Sequence, residues 1–293
     1  MSATTVKLAV WSLVGLAIAA VATTLQFRHS FADPAAFAWA ANGARWVLAM
    51  SVGALLASAG CALPARATVP QTWLGFSAGT ALGAALAWRY LGPFGAAVAG
   101  PLSGVAFALA ADRCRGTYVI ALTAAAFAGV GVFAASLVKF DPNLGRSLAF
   151  WALGDLSHAS WEAAALGLIA ALAYLALRHR FSPYLALGVG VGLAGPLSFV
   201  AWWVPRAEDR LAGLSGRARV VLCALAGGVL VMTVDAAQRF LVGGYGLGLN
   251  LPLTMLGLPF LLWWGRARVA ATAVALFAAA FSYYAVNIIR SAT

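Results

Sequence analysis

Charge is what this chain has least of. Of its 293 residues only 9% are Asp, Glu, Lys or Arg, against 63% hydrophobic. A soluble domain carries roughly a quarter charged residues. Helices this poor in charge have no wet face, so they are apolar all round and belong in lipid or in a very large core. A chain of this length cannot build a core large enough to hide so much apolar surface. The bilayer is therefore the expected solvent.

Cysteine is scarce as well. Cys61, Cys114 and Cys223 show no metal-ligand or paired spacing, which argues against structural disulfides and leaves them as small buried hydrophobes. No G-x-x-x-x-G-K-[ST], H-E-x-x-H or G-x-S-x-G pattern occurs. An intrinsic ATPase or a standard hydrolase is thereby unsupported. No catalytic residue, metal ligand or cofactor is expected, and the chain does not read as an enzyme. The formal net charge of +11 does not indicate nucleic acid, because the basic residues sit singly between apolar runs rather than on one face with interleaved aromatics.

What is present is a series of apolar runs near the ~20 residues that a membrane crossing needs. Spans are expected near 7–27, 42–62, 73–91, 93–111, 117–138, 157–178, 182–196, 219–241, 247–264 and 269–289. A short re-entrant piece is expected at 197–205 and an interfacial one within 139–156. The reading is an all-α, polytopic membrane protein of about ten transmembrane helices. The first run is long for a cleaved signal peptide and lacks a clear small-residue cleavage site before the charges, so it is read as span one.

With the N-terminus in the cytoplasm and the 197–205 piece returning the chain to that side, inside segments hold Lys7, Arg66, Arg113, Arg115, Arg178, Arg180, Arg206, Arg210, Arg217, Arg219, Arg266 and Arg268. Outside segments hold Arg28, Arg45, Arg89, Lys139, Arg146, Arg239 and Arg290. The excess inside fits the positive-inside rule. The 31 glycines, among them Gly53 and Gly60 or Gly75, Gly79 and Gly83, suit close helix packing in lipid. Trp46, Trp73, Trp88, Trp263 and Trp264 fall near span ends as interfacial anchors do.

The stretch 193–265 begins LAGPLSFVAWWVPRAEDRLAGLSG and ends LPLTMLGLPFLLWWG. It resembles the permease subunits of bacterial ABC importers for iron–siderophores, haem and cobalamin, the FecCD-type family. Gly195, Pro196, Phe199, Pro205, Gly213, Gly227, Asp235, Arg239, Gly257, Pro259 and Phe260 fall in register with that family's pattern. ARWVLAMSVGALLASAGC at 44–61, WLGFSAGTALGA at 73–84 and FWALGDLSHASW at 150–161 resemble further family segments, so the likeness covers most of 42–265. It implies a single transmembrane permease domain over 1–293, multi-pass in the cell inner membrane and embedded in lipid. The expected partners are a second permease copy or paired permease, a periplasmic substrate-binding protein and a cytoplasmic ATPase. No nucleic acid is among them.

The resemblance further implies that Arg45 and Arg239 lie at the periplasmic face and dock glutamates of the binding protein; a planar guanidinium suits carboxylates. Asn42 stands where the family has another docking arginine. The family's Pro-His is Pro205–Arg206 here, and a helix at 269–289 follows the place where the family ends. Family members carry a coupling helix for the ATPase between spans six and seven, but here only His179 to Pro183 joins them.

Ionisable residues inside a membrane are functional candidates by default. Asp235 stands four residues before Arg239 and shares its face. It is either half of an ion pair that fixes packing or part of a gate or docking element. Trp202, Trp203 and Pro205, on the dipping piece, are candidates for lining the pathway. Asp155, His158 and Glu162, at i, i+3 and i+7, would share a face if one helix held all three. They are a candidate cation or proton site, or merely helix capping and solvation with Asp155 as N-cap.

The expected function is a permease that moves an iron chelate or cobalamin inward as part of an ABC-type importer. Two alternatives stand beside it: an ATPase-independent secondary carrier of the same substrates, motivated by the short connection, and a non-transporting scaffold or accessory subunit.

Overall fold

The computed structural model describes residues 36–63, 159–195, 197–211 and 213–242. It also describes 79–80, 82–87, 90, 95, 98–100, 102–107, 141–143, 151, 154, 156, 248–249 and 253. Five long helices lie among these: α1 (Ala36–Ala62), α2 (Trp161–Leu177), α3 (Pro183–Ala194), α4 (Ser198–Leu211) and α5 (Gly216–Val242). No strand occurs among the described residues. In lipid the backbone has no water to bond to, so an apolar run closes its own hydrogen bonds as helix. Even the hydroxyls follow suit within α1, where Ser51 Oγ donates to the Val47 carbonyl at 2.6 Å and Ser58 Oγ to that of Leu55 at 3.1 Å.

Among the described residues two stretches are long and apolar enough to cross a membrane, Gly43–Ala62 in α1 and Gly216–Gln238 in α5. They match the expected spans 42–62 and 219–241, although α1 starts six residues earlier. α2 and α3 answer to the expected spans 157–178 and 182–196 but are shorter. At 17 and 12 residues they rise about 26 and 18 Å, against a hydrocarbon core of about 30 Å. The expected spans 7–27, 117–138 and 269–289 lie outside the described residues.

The chain divides into two compact units. The first contains 1–62, 156–186 and 200–246; the second contains 63–155, 187–199 and 247–293. In the first unit, α1 packs against both α5 and α2. The contact with α5 is close: a Cβ added to Gly53 would overlap the Gly227 carbonyl, and one added to Gly227 would overlap Ala57. α2 turns Ala164, Gly167, Ala171 and Tyr174 inward at helical spacing. It leaves Leu166, Leu168, Ile169 and Leu172 exposed, a face suited to lipid. In the second unit the Trp151 indole, buried, donates to the Gly192 carbonyl at 3.2 Å, and Leu249 N–H donates to that of Gly154 at 3.0 Å.

Local chemistry sets the helix ends. Ser160 caps α2, its hydroxyl accepting from Ala163 N–H at 3.1 Å. α2 hands over to α3 through Arg178–Ser182 alone, so the short connection expected there is present. Pro183 opens α3, where a missing N–H costs no hydrogen bond, and Gly195 closes it with φ +80°, a conformation open to glycine. The piece expected at 197–205 proves longer: α4 continues through Pro205 to Leu211. Pro205 withdraws the donor that the Ala201 carbonyl would have received, and that carbonyl lies against Gly60 of α1, where a Cβ would overlap it.

The α1–α5 crossing yields a stability prediction. Gly53→Val places side-chain atoms where the Gly227 backbone lies, and is expected to lower stability by at least the ~1–3 kcal/mol of an overpacked core. Ala226→Val, on the exposed face of α5, is expected to stay within about 0.5 kcal/mol. Thermal unfolding of the two variants in detergent checks both.

Candidate functional site

The seam between α1 and α5 can be followed residue by residue. Steps of four along α1 give Arg45, Ala49, Gly53, Ala57 and Cys61; along α5 they give Asp235, Val231, Gly227, Cys223 and Arg219. Such i±4 rows are the ridges by which helices interdigitate. The two rows run antiparallel, with Gly53 and Ala57 against Gly227 at the middle. The seam spans about 24 Å from Arg45 to Cys61 at 1.5 Å per residue.

One end is closed by an ion pair. Arg45 Nε donates to Asp235 Oδ2 at 2.8 Å and to Oδ1 at 3.1 Å, and Nη2 also donates to Oδ1. Asp235 is fully buried, and the Arg45 side chain is 12% exposed. A carboxylate in a span needs a partner of this kind, because an uncompensated charge there is costly. Of the two readings open for Asp235, the geometry displays an interhelical pair, made with Arg45. The Arg239 side chain is outside the described residues. The guanidinium that the family resemblance assigns to docking is thus engaged within the chain.

The opposite end of the unit is a polar corner where α4 meets α5. Glu208, buried, accepts from Leu214 N–H at 2.7 Å through Oε1 and from Arg219 Nε at 3.0 Å through Oε2. Its carbonyl accepts from Gly213 N–H at 2.9 Å. Asp209 takes the other edge of Arg219, with Nη2 donating to Oδ2 at 2.9 Å. Burial pushes the Glu208 carboxyl up, while the Leu214 N–H and the Arg219 guanidinium pull it back. Trp202 is buried with the Arg206 guanidinium 4.3 Å from its ring centroid, a cation–π arrangement. Arg206 Nη1 also donates to the Trp202 carbonyl at 3.0 Å. Burial pushes the Arg206 pKa down to about 10, which leaves it charged at neutral pH. Trp203 is half-buried and Pro205 buried.

The shared face expected for Asp155, His158 and Glu162 needs one helix over all three. α2 begins at Trp161 because Ser160, not Asp155, supplies the cap, so it carries Glu162 alone, and Glu162 is exposed. Asp155 and His158 lie outside the described residues. No group of three potential metal ligands occurs among the described residues. Glu208, Arg219 and the thiols of Cys61 and Cys223 were not singled out as site residues from sequence. Their only signal there is the four-residue spacing of Arg219, Cys223 and Gly227 on one helix.

The ion pair leads to a double-mutant expectation. Asp235→Ala removes the buried carboxylate that Arg45 holds and is expected to cost about 3–5 kcal/mol. Arg45→Met with Asp235→Leu removes both charges together and is expected to recover most of that loss. Unfolding midpoints of the two single variants and the pair measure the coupling.

Comparison with known proteins bears on the same helices. The model of the FecCD transport family matches residues 183–267. The vitamin B12 import system permease protein BtuC of Vibrio cholerae is 27% identical over 154 residues, 42% of this chain and 46% of that protein. The protein of the same name from Yersinia pestis is 25% identical over 157 residues, 43% and 47% of the two chains. The chain thus spans about half the length of the curated relatives it matches. A solved structure described as an inward-facing conformation of a transporter assigned to the metal-chelate ABC type shares the fold. Its TM-score is 0.59 at 16% identity, over 87% of this chain and 100% of the other. From the start of α3 to beyond the end of α5 the likeness to the FecCD transport family is continuous.

Proposed function

We propose that the chain is the translocation subunit of an ABC-type importer, one permease domain over residues 1–293. It moves a metal chelate, either an iron siderophore or haem, or cobalamin, inward across the membrane. The observation that carries this reading is a coincidence on α5. The family signature over 183–267 includes Asp235, and Asp235 is the buried carboxylate that binds α5 to α1 through Arg45. The substrate class draws support from two relatives named for vitamin B12 import and from the metal-chelate type of the solved structure. In this reading Asp235, Trp202, Trp203 and Pro205 line or gate the route. Arg45 and Arg239 meet a periplasmic binding protein, and a second permease copy and an ATPase complete the assembly. A binding-protein carboxylate that reaches Arg45 must then share or compete for a guanidinium already held by Asp235.

Affinity purification of the tagged chain from its own membranes is expected to bring down an ATPase subunit at fixed stoichiometry. Reconstituted with the binding protein, that complex is expected to take up labelled ferric siderophore, haem or cobalamin only when ATP is hydrolysed. Arg239→Glu, which leaves the Arg45–Asp235 pair in place, is expected to cut uptake about tenfold or more, as charge reversal at a docking surface does. Uptake that survives inactivation of the ATPase but collapses with the proton gradient would overturn the ATP-driven reading.

A further inference from the structure

The end of the α1–α5 seam away from the ion pair holds two cysteines. Cys61 and Cys223 occupy the step beyond the Ala57–Gly227 contact on their respective ridges. Both are free, and on the facing ridges the Cys61 thiol lies close enough to act on that of Cys223 across the helix pair. Cys223 is fully buried, whereas Cys61 is partly exposed. Arg219, one turn before Cys223, brings a guanidinium to the same end. Tyr174 of α2, buried beside Cys61, has a hydroxyl with no partner among the described residues.

We propose that Cys61 and Cys223 form a site of reversible oxidative modification, in which a peroxide converts the thiol pair into a disulfide that fastens α1 to α5. The roles follow from exposure. An attacking thiol has to be reachable, which selects Cys61; a resolving thiol has to be in contact with it, which selects Cys223. The Cys61 thiolate attacks one peroxide oxygen, the O–O bond breaks, and hydroxide leaves and takes up the thiol proton as water. Cys61 is now a sulfenic acid. The Cys223 sulfur attacks the Cys61 sulfur, the S–O bond breaks, and the second oxygen departs as water with the Cys223 proton. Two thiols and one peroxide thus become one disulfide and two waters, sulfur being oxidised and peroxide oxygen reduced.

The Tyr174 hydroxyl offers a donor to the peroxide oxygen. In the orientation expected from the positive charges, this end of the seam faces the cytoplasm. Thiols are kept reduced there, so the dithiol is the resting form and the disulfide the response to oxidant. Glycine at the middle of the seam brings the two backbones close, as a disulfide's short Cβ–Cβ span requires.

The test uses the full chain in detergent, with Cys114→Ser to leave only the two thiols. After hydrogen peroxide, the protein is unfolded, alkylated and weighed. Both alkylation tags are expected to disappear together, to return after dithiothreitol, and to map to a peptide joining Cys61 to Cys223. The oxidised protein is expected to unfold at a higher temperature than the reduced one. In a Cys223→Ala variant, Cys61 is expected to accumulate as a sulfenic acid trapped by dimedone, with no cross-link. Two thiols that both remain open to alkylation after peroxide would overturn the proposal. So would Cys61 passing to sulfinic or sulfonic acid while Cys223 keeps its tag.

Discussion

The first unit of this protein hangs on the seam between α1 and α5. Lipid offers no hydrophobic drive to bring two helices together, because acyl chains are as apolar as leucine. What remains is close packing of small residues and polar contacts that have no water to replace them. The seam uses both. Gly53, Ala57 and Gly227 let the backbones meet at its middle, and the Arg45–Asp235 pair closes one end. Glycine contact is permissive, since a ridge of small residues can slide by a turn and still fit. The ion pair is not permissive, because a slip of one turn would leave a buried carboxylate facing Ala49 instead of a guanidinium. Packing therefore sets the distance between the helices and the charge pair sets their register, a division of labour attested for buried polar pairs elsewhere.

α4 adds a second attachment to the same two helices. Its Pro205 leaves a carbonyl at Ala201 that the Gly60 backbone receives. Its Glu208 and Asp209 clasp Arg219 of α5. Glu208 alone satisfies the turn between α4 and α5 through its carboxylate and its carbonyl. The residue that makes this helix irregular and those that anchor it are thus within four positions of one another. The same helix places Trp202 against the Arg206 guanidinium, so its charged half folds back on its apolar half. The family signature over 183–267 runs through all of this: α4, the corner and the α5 side of the seam.

Much of this was legible in the sequence. Scarcity of charge required helices in lipid, and the positions of α1, α2, α3 and α5 follow from the lengths of the apolar runs. Asp235 stood out because a carboxylate in such a run demands a partner. The partner on α1 was not legible, because Arg45, 190 residues away, meets Asp235 only across two helices and no spacing rule along one helix reaches it. The end of α4 was misjudged because a proline and then four charges in six residues read as the end of a helix. The Glu208–Arg219 and Asp209–Arg219 pairs and the Gly60 backbone absorb both in the folded unit. The start of α2 was placed too early for a related reason, since Asp155 and Ser160 are both acceptable caps and local chemistry does not rank them.

The sequence alone determined the solvent, the secondary structure and most helix positions, because these depend on composition and on hydrogen bonds closed within a few residues. Tertiary structure decided which ridges face one another. That choice turns Arg45 to Asp235 and Cys61 to Cys223, and it depends on contacts between residues remote in the chain that no local pattern encodes.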